Sequence, residues 1–148
     1  LSPNSYPKIP ISIKVNSPSI FIDIDERLLG KGNENPIIAP LIKELLSTNL
    51  SANFVDIENA DLIMRGIVNT SKRSDVPNEW GIYQTFADVT ITVINGRTRD
   101  EIYSVTVPKI QGADFNSNEG SAKEAIRKIS KKIQIDTIPQ ILKRMEEL

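Results

Sequence analysis

Three strand-like runs in close succession, residues 61–70, 83–95 and 101–110, followed by an amphipathic helix opening at Ser121, constrain this chain more than any other feature. In the middle run Tyr83, Ala87, Val89, Ile91 and Val93 alternate with Gln84, Asp88, Thr90 and Thr92, and Phe86 stands on the polar side. A period of two sends these sets to opposite faces of a strand, so one face is buried and the other wet. An antiparallel sheet covered by helices on one side reads this way. Runs 83–95 and 101–110 meet at Asn95-Gly96, a turn signal, and Tyr103, Val105 and Val107 continue the alternation. Pro108 cannot donate to a ladder, which places its run at or toward an edge.

Upstream, residues 19–25 set Ile20, Ile22 and Ile24 on one face and Phe21 on the other, a first core strand. Gly30, Gly32 and Asn33 make a loop. Pro36 then suits the first position of a helix over residues 36–47, with Ile37, Ile38, Leu41, Ile42, Leu45 and Leu46 as its stripe and Pro40 near its first turn. Residues 53–57 read as a short strand. Gly66, inside the run 61–70, marks a bulge or a close backbone approach. Residues 111–120 read as a polar, flexible connection. Ser121 with Glu124 forms a capping box, and Ala122, Ala125, Ile126, Ile129 and Ile133 supply the apolar stripe. Pro139 interrupts or kinks the helix, and Ile141, Leu142 and Met145 continue the stripe.

These elements predict an α/β fold of the α+β kind: a mixed, largely antiparallel four- or five-stranded sheet with two helices, residues 36–47 and 121–133, packed on one face. Residues 1–18, punctuated by Pro3, Pro7, Pro10 and Pro18, predict an extended N-terminal tether. Within it, Ile9, Ile11, Ile13 and Val15 alternate as an added edge strand would. Residues 19–148 predict a single α/β domain. The chain opens on Leu1 rather than Met, which raises the expectation of a removed leader, a lipoprotein leader or an upstream domain.

Composition excludes whole classes of chemistry. With no cysteine and no histidine there is no thiolate nucleophile, no histidine base, no Ser-His-Asp triad and no Cys/His zinc site. The 18 Lys+Arg against 19 Asp+Glu leave no net field to recruit nucleic acid or an acidic membrane. Lys128, Lys131 and Lys132 mark the solvated side of the last helix, without the aromatic platform that single-stranded nucleic acid requires. No run approaches the roughly 18–20 apolar residues that cross a bilayer. No cofactor and no metal are expected.

Asp114, Asn116, Asn118 and Glu119 make an oxygen-rich loop that lacks the ligand spacing of an EF-hand. A helix start is the simpler account. The polar loop 71–81, with Trp80, Tyr83 and Phe86 nearby, reads as a partner-binding patch, the alternative being Trp80 folded over the sheet edge as a lid. Together with the polar sheet face, this makes Trp80, Tyr83, Gln84, Phe86, Thr90 and Thr92 the candidate binding residues.

Two resemblances follow from short motifs. The run Phe21-Ile22-Asp23-Ile24-Asp25-Glu26-Arg27 resembles the first motif of haloacid-dehalogenase-type phosphatases. That resemblance implies Asp23 as nucleophile, Asp25 as general acid and a magnesium ion, although Glu26 and Arg27 stand where the family has a small residue and Thr. The run Ala60-Asp61-Leu62-Ile63-Met64-Arg65-Gly66-Ile67-Val68 is similar to a segment of bacterial envelope domains such as the TolB N-terminal domain, CsgG and the penicillin-binding-protein activator lipoproteins. The order of elements also resembles the plan of LptE. This second resemblance implies a non-enzymatic binding or scaffolding domain, periplasmic or outer-membrane-associated. It would dock to a protein partner in an envelope assembly, without nucleic acid, and could be membrane-tethered through a segment preceding the chain.

Overall fold

Alternation is realised most fully in one 13-residue strand, Tyr83–Asn95, where every odd position from Thr85 to Val93 is buried and every even one is partly exposed. The computed structural model that shows this describes residues 17–147, so the stretch read as a tether lies, up to residue 16, outside the described residues. The elements run β1 (Ser19–Leu28), β2 (Lys31–Gly32), α1 (Ile38–Leu50), β3 (Asn53–Phe54), a 3-10 turn (Ile57–Asn59), β4 (Leu62–Lys72), β5 (Tyr83–Asn95) and β6 (Glu101–Asp114). They end with α2 (Asn118–Lys132), a π-helical turn (Ile133–Thr137) and α3 (Ile138–Glu146).

The six strands form one sheet in the order β2-β1-β4-β5-β6, with β3 beside β1. Strands β1 and β4 are parallel, from Ile20 opposite Leu62 to Glu26 opposite Val68. Strands β4, β5 and β6 form an antiparallel meander. The sheet is therefore mixed and largely antiparallel, and β2 and β3 add only two residues each to its four long strands. Ile20, Met64, Val68, Val89 and Ile91 line its covered face. Against them pack Ile38, Ile42 and Leu46 of α1 and Ala125, Ile126 and Ile129 of α2, all at most 2% exposed. Each such isoleucine or leucine contributes about 1.5–3 kcal/mol relative to exposure, so this one-sided layer holds the fold.

Pro108 does sit in the outermost strand. There Asp88 of β5 faces both Pro108 and Lys109, a bulge that absorbs the missing donor. Gly66 marks no bulge, since its register with both neighbours is unbroken. A Cβ at Gly66 would instead lie 2.7 Å from the Ile24 side chain. The Asn95-Gly96 signal becomes a longer turn. Asn95 Oδ1 accepts from the Arg97 and Thr98 amides at 2.8 and 3.1 Å, and Arg99, not the glycine, takes the positive φ of 68°. Gly96 is needed because a Cβ there would collide with the Ala60 carbonyl.

Residues 111–114, expected in a flexible connection, belong to β6. Gly112 is buried under α2, where an added Cβ would run into the Ser121 carbonyl and lie 2.5 Å from the Ala125 nitrogen. The capping box at Ser121 is not the helix start. Asp114 Oδ2 accepts from the Asn116 and Ser117 amides at 2.9 Å and turns the chain early. Ser117 then caps α2 by accepting from the Gly120 amide at 2.9 Å. Ser121 is buried inside the helix and donates to the Gly112 carbonyl at 3.0 Å. Pro139 interrupts the last helix as expected. The break is the π-helical turn before it, in which the Ile138 amide reaches back to the Ile133 carbonyl.

Helix α1 starts at Ile38 rather than Pro36, and its N-cap residue, Ile37, has no side chain able to cap. The cap comes from Glu26 of β1, only 5% exposed. Its Oε1 accepts from the Ile38 and Ile37 amides at 2.9 and 3.1 Å, and Oε2 accepts from Asn33 Nδ2 at 2.6 Å. A carboxylate at a helix N-terminus satisfies orphan donors and the dipole together. Glu26→Ala is expected to lower stability by about 2–3 kcal/mol, because buried donors lose a charged acceptor. Urea denaturation with an unchanged slope would show it. Gly112→Val should destabilise strongly, whereas Gly32→Ala, with nothing within 4 Å of the added carbon, should leave the midpoint unmoved.

Candidate functional site

Because every long helix packs on one side, the other face of the sheet has no helix over it among the described residues, although Ile63 at its Leu62 end is only 1% exposed. The register writes its contents row by row. Asp23, Arg65, Thr92 and Ser104 form one cross-strand row, and Asp25, Ile67, Thr90 and Thr106 form the next. Hydroxyls pair across β5 and β6, Thr90 to Thr106 at 3.3 Å and Thr92 to Ser104 at 3.2 Å. Ile67 is 52% exposed in the middle of this face. Lys109 Nζ stands 5.9 Å from the Phe86 ring centroid, a cation–π contact. The face is thus a ladder of hydroxyls with apolar islands.

Of the candidate binding residues, Gln84, Phe86, Thr90 and Thr92 share this face. Tyr83, an odd position, falls on the helix-bearing side and pairs with Asp114. Trp80 lies beyond the strand, and at 73% exposed it is no lid on the sheet edge. Two neighbours were not singled out by sequence reasoning: Val76, 66% exposed, and Phe115, 72% exposed. Only the pairing of Tyr83 with Asp114 reveals that their two loops share one end of the sheet.

The loop that carries Val76 and Trp80 is pinned. Asn78 Oδ1 accepts from the Trp80 and Ile82 amides at 2.8 and 3.0 Å, and Gly81 takes a φ of 76°. Asn118 Nδ2 donates to the Ser74 carbonyl at 2.9 Å, tying the loop to the start of α2. Beneath it lies a cavity of about 210 Å³, bounded by Arg73, Gln84 and Asn78 and by Val76, Pro77 and Ile82.

Asp23 and Asp25 sit mid-strand on the open face, not at a strand end. Arg65 Nε lies 3.8 Å from Asp23, and Arg27 Nε lies 3.1 Å from Asp25, in pairs about half exposed. No group of three or more acidic side chains gathers as a cation site among the described residues. The oxygen-rich loop at residues 114–119 is spent on the turn and cap of α2. No described helix is long and apolar enough to cross a membrane. Exposed ion pairs of this kind contribute at most about 1 kcal/mol. Asp23→Asn and Asp25→Asn should accordingly leave the thermal midpoint nearly unchanged, as calorimetry would read.

No family model matches the sequence, and no curated protein matches it. Among solved structures, a Xanthomonas campestris protein of the family DUF330 superposes with a TM-score of 0.56 at 9% identity, covering 90% of this chain and 88% of that one. The rare lipoprotein B of Shewanella oneidensis gives 0.46 at 13% identity over 87% and 94% of the two chains. The LpoB C-terminal domain of Salmonella enterica gives 0.41 at 9% over 68% and 93%. The likeness of fold rests on the first of these.

Proposed function

We propose that this chain is a non-enzymatic binding or scaffolding domain of a bacterial cell-envelope assembly, working on the periplasmic or outer-membrane side. The observation that carries this reading is the one-sided sheet. Four long strands present an uncovered face whose hydroxyl rows and exposed Ile67 have no helix over them among the described residues. An open antiparallel face needs no partner when it is wholly polar, but apolar islands such as Ile67 and Phe86 favour contact. The envelope setting rests on the similarity of residues 60–68 and of the element order to envelope domains. A protein is the partner this face suits. Asp23 and Asp25 within it are paired with arginines, and hydroxyl ladders with apolar islands match another polypeptide better than a phosphate backbone.

The test is the double variant Thr90→Lys/Thr92→Lys, which places cations in the centre of the face without touching the core. The full chain, tagged and expressed in its native envelope, should lose its co-purifying protein partner at least roughly tenfold in the variant. Lys131→Glu on α2, remote from this face, should retain it. Equal recovery from all three would remove the open face from consideration. A phosphate-ester assay with magnesium is expected to show no turnover, and turnover abolished by Asp23→Asn would transfer the function to the phosphatase class.

A further inference from the structure

We infer that the cavity beneath the β4–β5 loop is a second docking point, built for one apolar side chain of a partner polypeptide that carries a carboxylate beside it. This rests on the protein-docking reading above and names the chemistry of one segment of the partner.

Size decides the class of ligand first. About 210 Å³ is smaller than the roughly 300–1,000 Å³ of ordinary small-molecule sites. It has room for a single branched or aromatic side chain. Its walls divide by chemistry: Val76, Pro77 and Ile82 are apolar, while Asn78, Gln84 and Arg73 are polar. Lys72, next to Arg73, is paired with Asp75. Arg73 itself has no ion-pair partner among the described residues, and its backbone is held by donation to the Gln84 carbonyl at 2.9 Å. Arg73, an exposed residue in the wall of a partly apolar cavity, complements a carboxylate, which its guanidinium can hold through two parallel hydrogen bonds.

The neighbouring loops point the same way. Val76, in the cavity wall, and Trp80 and Phe115, outside it, are each at least 66% exposed, on loops fastened by Asn78, Asp114 and the Asn118-to-Ser74 bond. A rigid loop that leaves Trp in water gains nothing from it within the monomer. Exposed Trp is a common anchor of polypeptide interfaces, and Trp80 follows the wall residue Asn78 by two positions, its amide donating to the Asn78 side chain.

Trp80 is the sole tryptophan and reports on its own rim. The full chain is titrated with two pools of synthetic peptides, each with a central leucine or phenylalanine, flanked by glutamate in one pool and lysine in the other. The glutamate pool should shift Trp80 emission to the blue and protect it from acrylamide, and the lysine pool should not. Arg73→Glu, on the surface and leaving circular dichroism unchanged, should weaken the glutamate pool roughly tenfold or more and admit the lysine pool. Equal response to both pools, response to neither, or indifference to Arg73→Glu would overturn the inference. So would a blue shift that appears only with phosphatidylglycerol vesicles, or only on raising the protein concentration, which would assign the rim to lipid or to a second copy. The two readings fail separately. A partner lost on Thr90→Lys/Thr92→Lys but kept on Arg73→Glu leaves the docking face standing and removes the cavity, whereas a partner indifferent to the open-face variant removes the face.

Discussion

One buried carboxylate holds the architecture in register. Glu26 stands near the end of β1, where its oxygens take the first amides of α1 and the Asn33 side chain. A helix whose own N-cap is isoleucine has no local means of satisfying those donors. The strand therefore supplies what the helix lacks, and in doing so fixes where α1 begins on the sheet. Because α1 is the crossover between parallel β1 and β4, its placement governs the one parallel pairing of long strands, on which the antiparallel meander is then built.

This coupling explains why Glu26 stands where a phosphatase motif would put a small residue. In such a motif the chain after the second Asp runs on through a small residue and Thr. Here it continues through Arg27 and Leu28 into a hairpin with Lys31 and Gly32, and the carboxylate is committed to a helix terminus. Asp23 and Asp25, one pleat earlier, are turned to the opposite face by the period of two and meet arginines there. Two carboxylates that share a strand face can be either a reactive pair or half of two ion pairs. Here each is half of an ion pair, with the arginine on β4 and with the one two residues along β1.

What was legible in the sequence is what period two and period 3.6 encode. Val89, Ile91 and Val93 announced the covered face, and Ala125, Ile126 and Ile129 the helix that covers it. Pro108 announced the edge. What was not legible depended on contacts distant in the chain. Ser121 carries a capping signature, yet the cap moved to Ser117 because Asp114 turned the chain first. Gly112 resembled a linker glycine, but its lack of a side chain serves close packing of α2 on β6. The open face was legible through Gln84, Phe86, Thr90 and Thr92. The exposed rim was legible only in Trp80, since nothing local ties Val76 to Phe115.

The division of labour between faces follows from the same physics. A sheet this narrow has one core, and three helical segments suffice to cover one side of it. Covering the second side would require another layer, which the described residues do not provide. The uncovered face remains wettable because Thr, Ser and paired charges occupy the alternate positions, with hydroxyls bonded to one another rather than left open. Such a surface is stable in water and still leaves Ile67 exposed for the proposed docking. Pro108, Lys109 and the bulge opposite Asp88 guard the outer strand against extending the ladder. Edge pairing is thereby disfavoured, which leaves the open face as the surface that the proposed docking would use.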